Sequence, residues 1–162
     1  MYGGTIPVAV APRSYSDRVM LVGDAAGQVK PFSGGGIYTG LVAAKYCAQT
    51  AIKCLLSGIF KSEYMSNYEK NWRSHIGSEL LRSSLIRRFG LSLTDDEMSK
   101  IISVLQKPNI QNIVVETADI DYPSKAILRL AKEVPEILPL IGVGARHPLA
   151  MLSLLRAYFI KA

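Results

Sequence analysis

Val19-Met20-Leu21-Val22-Gly23-Asp24-Ala25-Ala26-Gly27-Gln28-Val29-Lys30-Pro31-Phe32-Ser33-Gly34-Gly35-Gly36-Ile37 reads as a strand, a turn and the start of a helix. Arg18 to Val22 is a short, nearly continuous apolar run. Such a run suits a strand buried on both faces, as in a parallel sheet covered by helices. The residues after it are small, so a ligand meets no side chain bulkier than a methyl at Gly23, Ala25, Ala26 and Gly27. Asp24, directly after the strand, is placed to accept hydrogen bonds from hydroxyls, which a ribose or ribityl chain offers. Gly34, Gly35 and Gly36 leave the first amides of the following helix bare. A helix start carries about half a positive charge and several unpaired N–H donors, which suits a phosphate or a ring bearing negative charge.

Outward from this stretch, Ile37 to Ser57 contains no proline and stops at Gly58, so a helix with a glycine C-cap is expected. Its Gly40, Ala43, Ala44, Cys47, Ala48 and Ala51 make a stripe of small residues that lets it approach a sheet or ligand closely. A second helix is expected from about Ser62 to Phe89, ending at Gly90. Thr94-Asp95-Asp96-Glu97 reads as a capping box opening a third, which closes before Pro108. Residues 109–118 fit either a short helix or a strand. Pro123 begins a helix to about Val134, where Pro135 and Pro139 break it. Gly142, Gly144 and Pro148 punctuate a loop before an apolar helix, Leu149 to Phe159, which is apolar nearly all round and so buried or membrane-facing. Upstream, Gly3 to Val10 is β-prone, with Pro7 arguing for an edge or irregular strand, and Arg13 to Asp17 is a polar connection. The fold class expected is α+β, mostly α: one or two strands followed by a helical region. No linker long enough to divide two domains interrupts it.

Composition narrows the function classes. The chain has 162 residues, 49% apolar and 20% charged. That excludes disordered, collagenous and low-complexity proteins and is enough for a buried core. No run of roughly 18 uncharged apolar residues is present, so a membrane-spanning helix is not expected, and no targeting peptide is evident. Cys47 and Cys54 lack metal spacing and read as small buried residues of a reducing compartment. His75 and His147 stand alone, so no metal site is expected. Residues 1–93 hold 11 Lys/Arg against 5 Asp/Glu, and residues 94–162 hold 8 of each. The basic first half suits solvated helix surface, nucleic acid, an anionic membrane or a phosphate-bearing ligand. Arg82, Arg87 and Arg88 are read as opposing the dipole at a helix end in solvent.

The segment from Val22 to Ala48 resembles the second flavin-binding motif of FAD-dependent oxidoreductases, most closely that of the geranylgeranyl reductase family. The matching residues are Gly23-Asp24-Ala25-Ala26-Gly27, then Pro31, then Gly34-Gly35-Gly36-Ile37. The resemblance implies that Asp24 contacts the flavin's ribityl–pyrophosphate region. It also implies that the backbone at Gly36 and Ile37 faces the isoalloxazine N1/O2 edge. Aromatic hydroxylases of related type usually carry histidine at the position of Gly27, which favours the reductase branch. Ala43-Ala44 stands where the family commonly has a Ser-Gly pair. Tyr64, Tyr68 and Trp72, at helical i, i+4, i+8 spacing, are similar to the family's tyrosine–tryptophan helix; their own pattern reads as core packing, with no catalytic role. The resemblance covers roughly residues 3–90.

What the resemblance implies about the whole is the C-terminal part of an FAD-binding α/β oxidoreductase fold. Residues 1–60 would be the end of the FAD-binding domain and residues 61–162 a helical C-terminal region. GxGxxG, which binds the ADP half of FAD in such enzymes, does not occur. The expectation is therefore a fragment needing an N-terminal half, binding FAD weakly or not at all alone. The implied activity is saturation of isoprenoid, geranylgeranyl-type double bonds of lipid or prenyl substrates. The electron donor would be NADPH or ferredoxin, and the protein would be cytoplasmic or peripheral at the membrane, with no nucleic acid expected. No catalytic residue is nominated. Two other readings stay open: a non-catalytic helical module binding anionic lipid or nucleic acid, and another FAD-dependent, monooxygenase-like flavoprotein.

Overall fold

The computed structural model describes residues 4–134 and 148–160. The chain is mostly helical, with one small antiparallel hairpin near its start. It forms two compact units, divided after Leu81.

In the first unit, residues 4–14 form no regular strand, contrary to the β-prone reading of residues 3–10. The segment is pinned instead by single bonds: the Ala11 N–H donates to the Ala26 carbonyl at 3.0 Å. Strands β1 (Tyr15–Ser16) and β2 (Val19–Met20) then pair antiparallel, Tyr15 opposite Met20 and Ser16 opposite Val19. The expected strand at Arg18–Val22 is thus two residues long, and the polar connection before it supplies its partner. Val19 is 48% exposed, so the strand is not buried on both faces. A local turn closes faster than a crossover to a distant parallel strand, because little chain entropy is lost. Arg18 sits at φ 61 in that turn, uncommon for a side-chain-bearing residue. Its N–H donates to the Phe60 carbonyl at 2.9 Å.

Helix α1 (Ile37–Ser57) ends at Gly58, whose φ of 69 is the left-handed C-cap expected of glycine. Helix α2 (Ser62–Trp72) runs through a π-helical turn, Arg73–Gly77, into α3 (Ser78–Gly90). The single long helix expected over 62–89 is therefore continuous in direction but locally widened. The buried residues explain the widening. Tyr68, Trp72, Ile76 and Leu80 recur every fourth residue and all are buried. An ideal helix repeats every 3.6, so each four-residue step rotates the stripe by about 40°. One wide turn takes up the accumulated excess. Gly77 fits there because a Cβ on it would lie 3.1 Å from the Arg73 Cβ. These four residues and Ala43 of α1 form the core of the unit, flanked by Val10, Tyr15, Met20 and Val22.

In the second unit the Thr94 capping box forms as expected. The Glu97 N–H donates to Thr94 Oγ1, and the Thr94 N–H donates to Glu97 Oε2 at 2.9 Å, opening α4 (Asp95–Leu105). The ambiguous stretch is helical, α5 (Pro108–Thr117), started by a proline that needs no N–H partner at that position. Helix α6 (Ser124–Glu133) follows Pro123, and Ile110, Leu130 and Val134 close the core between α5 and α6. Pro135, Pro139, Gly142, Gly144 and His147 lie outside the described residues. Helix α7 (Pro148–Phe159) carries Leu149 and Phe159 exposed and Ser153 and Ala157 buried. Its apolar sequence is therefore not buried all round. Arg82 is buried rather than solvated. Among the described residues no helix is long and apolar enough to cross a membrane. Cys47 and Cys54 are free thiols, half-buried and buried.

Candidate functional site

The residues singled out in the sequence meet at the start of α1. Gly23–Ala26 is one turn of 3-10 helix, closed by Gly27 in the left-handed region at φ 64. The Gly27 N–H donates to the Asp24 carbonyl at 2.9 Å, and the Gln28 N–H to the Gly23 carbonyl at 3.0 Å. Gly27 cannot be replaced without displacement, since a Cβ there would lie 2.0 Å from the Ala9 carbonyl oxygen. Ala26, Gly27 and Pro31 are buried and serve the turn's own packing, while Asp24 and Ala25 face solvent.

The three-glycine turn lies against this one. The Lys30 N–H donates to the Gly35 carbonyl, and the Gly34 N–H returns to the Lys30 carbonyl. Gly34 is left-handed at φ 69. Gly36 precedes α1 and caps it with no side-chain hydrogen bond. A Cβ on Gly36 would stand 3.0 Å from Asp24 Oδ1, and one on Gly40 would stand 3.8 Å from the Gly23 Cα. The Asp24 carboxylate thus lies beside the opening of α1, with no side chain between them, and the absence of a Cβ at position 36 gives it that room. Gly23, Gly34, Gly35 and Gly36 are half-buried, and Ile37 is 84% exposed.

One residue that the motif reading passed over holds these pieces together. Gln28 is fully buried, and all four of its polar groups are used. Its N–H bonds Gly23 as above. Its carbonyl accepts from Thr39 Oγ1, in the first turn of α1. Its Oε1 accepts the Gly23 N–H at 2.7 Å, and its Nε2 donates to the Tyr68 hydroxyl at 2.9 Å. Tyr68 in turn donates to the Leu21 carbonyl at 2.6 Å. Burial pushes the Tyr68 phenol up to about 12, so it stays protonated at any working pH and keeps its donor. The available signal was a lone amide side chain amid small residues, next to a left-handed glycine. Its partner, forty positions away, gave none.

A second network anchors the approach to the hairpin. Glu69 Oε2 accepts from the Ser14 N–H at 2.6 Å and from Ser14 Oγ at 2.8 Å. Trp72 Nε1 donates to Ser14 Oγ at 3.1 Å, and Arg73 bonds both Glu69 Oε1 and the Ala11 carbonyl. Burial raises the Glu69 carboxyl, but the bonds from Ser14 and Arg73 outweigh it and leave the group below its ordinary value of 4.5. His75, on the π turn, lies 3.4 Å from the Tyr46 hydroxyl.

Chemically, the opening offers an acceptor for hydroxyls at Asp24 and N–H donors at the start of a 21-residue helix. Glycines stand where a side chain would block entry. That set fits a polyhydroxylated, electron-rich ligand such as a flavin.

No family model matches the chain, and no solved structure matches it. Curated proteins do. An uncharacterized protein of Methanocaldococcus jannaschii is 32% identical over 143 residues, 88% of this chain and 35% of that protein. Digeranylgeranylglycerophospholipid reductase 2 of Methanothermobacter thermautotrophicus is 33% identical over 140 residues, 85% of this chain and 34% of that protein. Digeranylgeranylglycerophospholipid reductase of Methanothrix thermoacetophila is 33% identical over 114 residues, 70% of this chain and 29% of that protein. The chain spans about a third of the length of the curated relatives it matches.

Proposed function

Over the matched residues the chain is homologous to the geranylgeranyl reductase family, and from that premise we propose that it forms part of a flavin-dependent reductase saturating isoprenoid double bonds on lipid or prenyl substrates. FAD supplies the hydride equivalents when bound. In this reading residues 1–60 complete the flavin-binding domain and residues 61–162 form a helical region against the lipid chain. The electron donor in this reading would be NADPH or ferredoxin, and a lipid-borne substrate would bring the protein to a membrane surface.

The chain's own residues bind and orient. Asp24 accepts hydrogen bonds from ribityl hydroxyls. Amides at Gly36 and Ile37 donate toward the electron-rich edge of the ring, where the start of α1 contributes on the order of 0.3–1 kcal/mol at an exposed site. Gly23, Ala25, Gly34 and Gly35 keep the approach clear, and Ala26, Gly27 and Pro31 set the shape of the turn. The observation that carries the reading is the open Asp24 carboxylate beside the uncapped start of α1.

The test is equilibrium titration with FAD of the chain joined to the GxGxxG-bearing N-terminal half of a related reductase, since the chain alone is expected to bind weakly or not at all. Saturable binding that weakens about tenfold in Asp24→Ala supports the reading. Equal affinity in both proteins removes the ribityl contact, and no binding at all removes the flavin site.

A further inference from the structure

Asp24 is exposed and sits in a four-residue 3-10 turn, a short element with little stability of its own. Its direction must be set by the two ends of that turn. Both ends run to the same buried pair. On the entering side, the Leu21 carbonyl accepts from the Tyr68 hydroxyl at 2.6 Å and the Gly23 N–H is held by Gln28 Oε1 at 2.7 Å. On the leaving side Gln28 itself follows Gly27, and its carbonyl is tied by Thr39 to the first turn of α1. The Gln28 Nε2 to Tyr68 hydroxyl bond, at 2.9 Å, joins the two sides. Gln28 and Tyr68 have no exposed surface, so water cannot replace a lost partner.

We infer that Tyr68 and Gln28 are positioning residues for the Asp24 turn, fixing the carboxylate opposite the start of α1 through a buried hydrogen-bonded chain from α2. The inference rests on the flavin reading of that site. It gives the tyrosine of the aromatic helix a role beyond its packing. The ring fills the core, while the hydroxyl, the one atom that phenylalanine lacks, holds the Leu21 carbonyl 47 residues earlier, at the entrance to that turn.

A double-mutant cycle on FAD affinity tests it. Tyr68→Phe keeps the ring and removes the hydroxyl, taking the donor from the Leu21 carbonyl and orphaning the buried Gln28 amide. FAD affinity is expected to fall about five- to tenfold in the wild-type background. In the Asp24→Ala background, with no carboxylate left to position, the same substitution is expected to change affinity less than twofold. A purely structural hydroxyl would cost stability equally in both backgrounds and shift affinity equally or not at all. An equal shift, or none, overturns the inference while leaving the flavin site intact. The cycle is run on the chain joined to the GxGxxG-bearing N-terminal half of a related reductase, and failure of that wild-type protein to bind FAD overturns the flavin reading, and this inference with it. Should Tyr68→Phe fail to fold, Thr39→Val, which removes the hydroxyl held by the Gln28 carbonyl, goes through the same cycle with the same expectations.

Discussion

In the first unit, side-chain hydrogen bonds reach across the chain: 40 positions from Gln28 to Tyr68, 55 from Ser14 to Glu69 and 58 from Ser14 to Trp72. In the second, several stay close. Thr94 and Glu97 are three apart, Thr117 and Ile113 four, Arg129 and Glu133 four. The helices of the second unit carry their own backbone bonding and bury apolar faces against each other, as Ile110, Leu130 and Val134 do, with the Arg129–Glu116 ion pair linking α6 to α5. The residues before α1 have almost no regular structure, so their backbone groups must be satisfied one at a time by distant side chains. The first unit should therefore be sensitive at glycines and buried polar groups, and the second at its apolar centre.

The sharpest way to break that contrast is Gly27→Ala. Left-handed backbone and a 2.0 Å approach to the Ala9 carbonyl should together cost on the order of 4 kcal/mol, read by urea unfolding. A cost under about 1 kcal/mol would mean the turn relaxes freely. Next comes Ile110→Ala in the second unit. Emptying this fully buried position should cost about 3 kcal/mol, with loss of amide-exchange protection in α5 and α6.

Glu69→Gln should cost about 2 kcal/mol near neutral pH by weakening charge-assisted bonds to Ser14 and Arg73. Its pH dependence sharpens the comparison further. The Glu69 carboxyl is held below 4.5 in the folded chain, so its contribution is complete above that value and disappears as pH falls through the folded one. Wild type should thus lose stability more steeply than Glu69→Gln below about pH 4.5, and parallel acid curves would rule the network out as a source. The smallest effect is expected at Thr94→Ala. Losing the capping box should cost about 1 kcal/mol, confined to amides at the start of α4.

Local signals were read well where the chain makes its structure from neighbours. The helix over 37–57 with its glycine stop, the capping box at Thr94 and the proline-led start of α6 all follow from residues within one or two turns of each other, whereas residues 109–118 fitted helix and strand alike. The glycine turns were legible for the same reason: Gly23 to Gly27 and Gly34 to Gly36 carry unusual backbone demands in their own composition. The apolar run at Arg18–Val22 misled because periodicity reports burial on average and not the partner; a nearby polar pair closed the hairpin first. The wide turn at Arg73–Gly77 was hidden because a four-residue stripe looks helical until it must stay on one face over several turns.

Short-range chemistry, then, accounts for which segments coil, where they stop and which turn lacks side chains. The three-dimensional packing decided that Gln28 is the buried hub of that turn, that Tyr68 reaches it from α2, and that the Asp24 carboxylate stands beside the opening of α1. The physical reason is that a hydrogen bond between residues 40 or more positions apart leaves no periodic trace in the chain. It exists only once the core of α1 and α2 has brought its donor and acceptor together in a place without water.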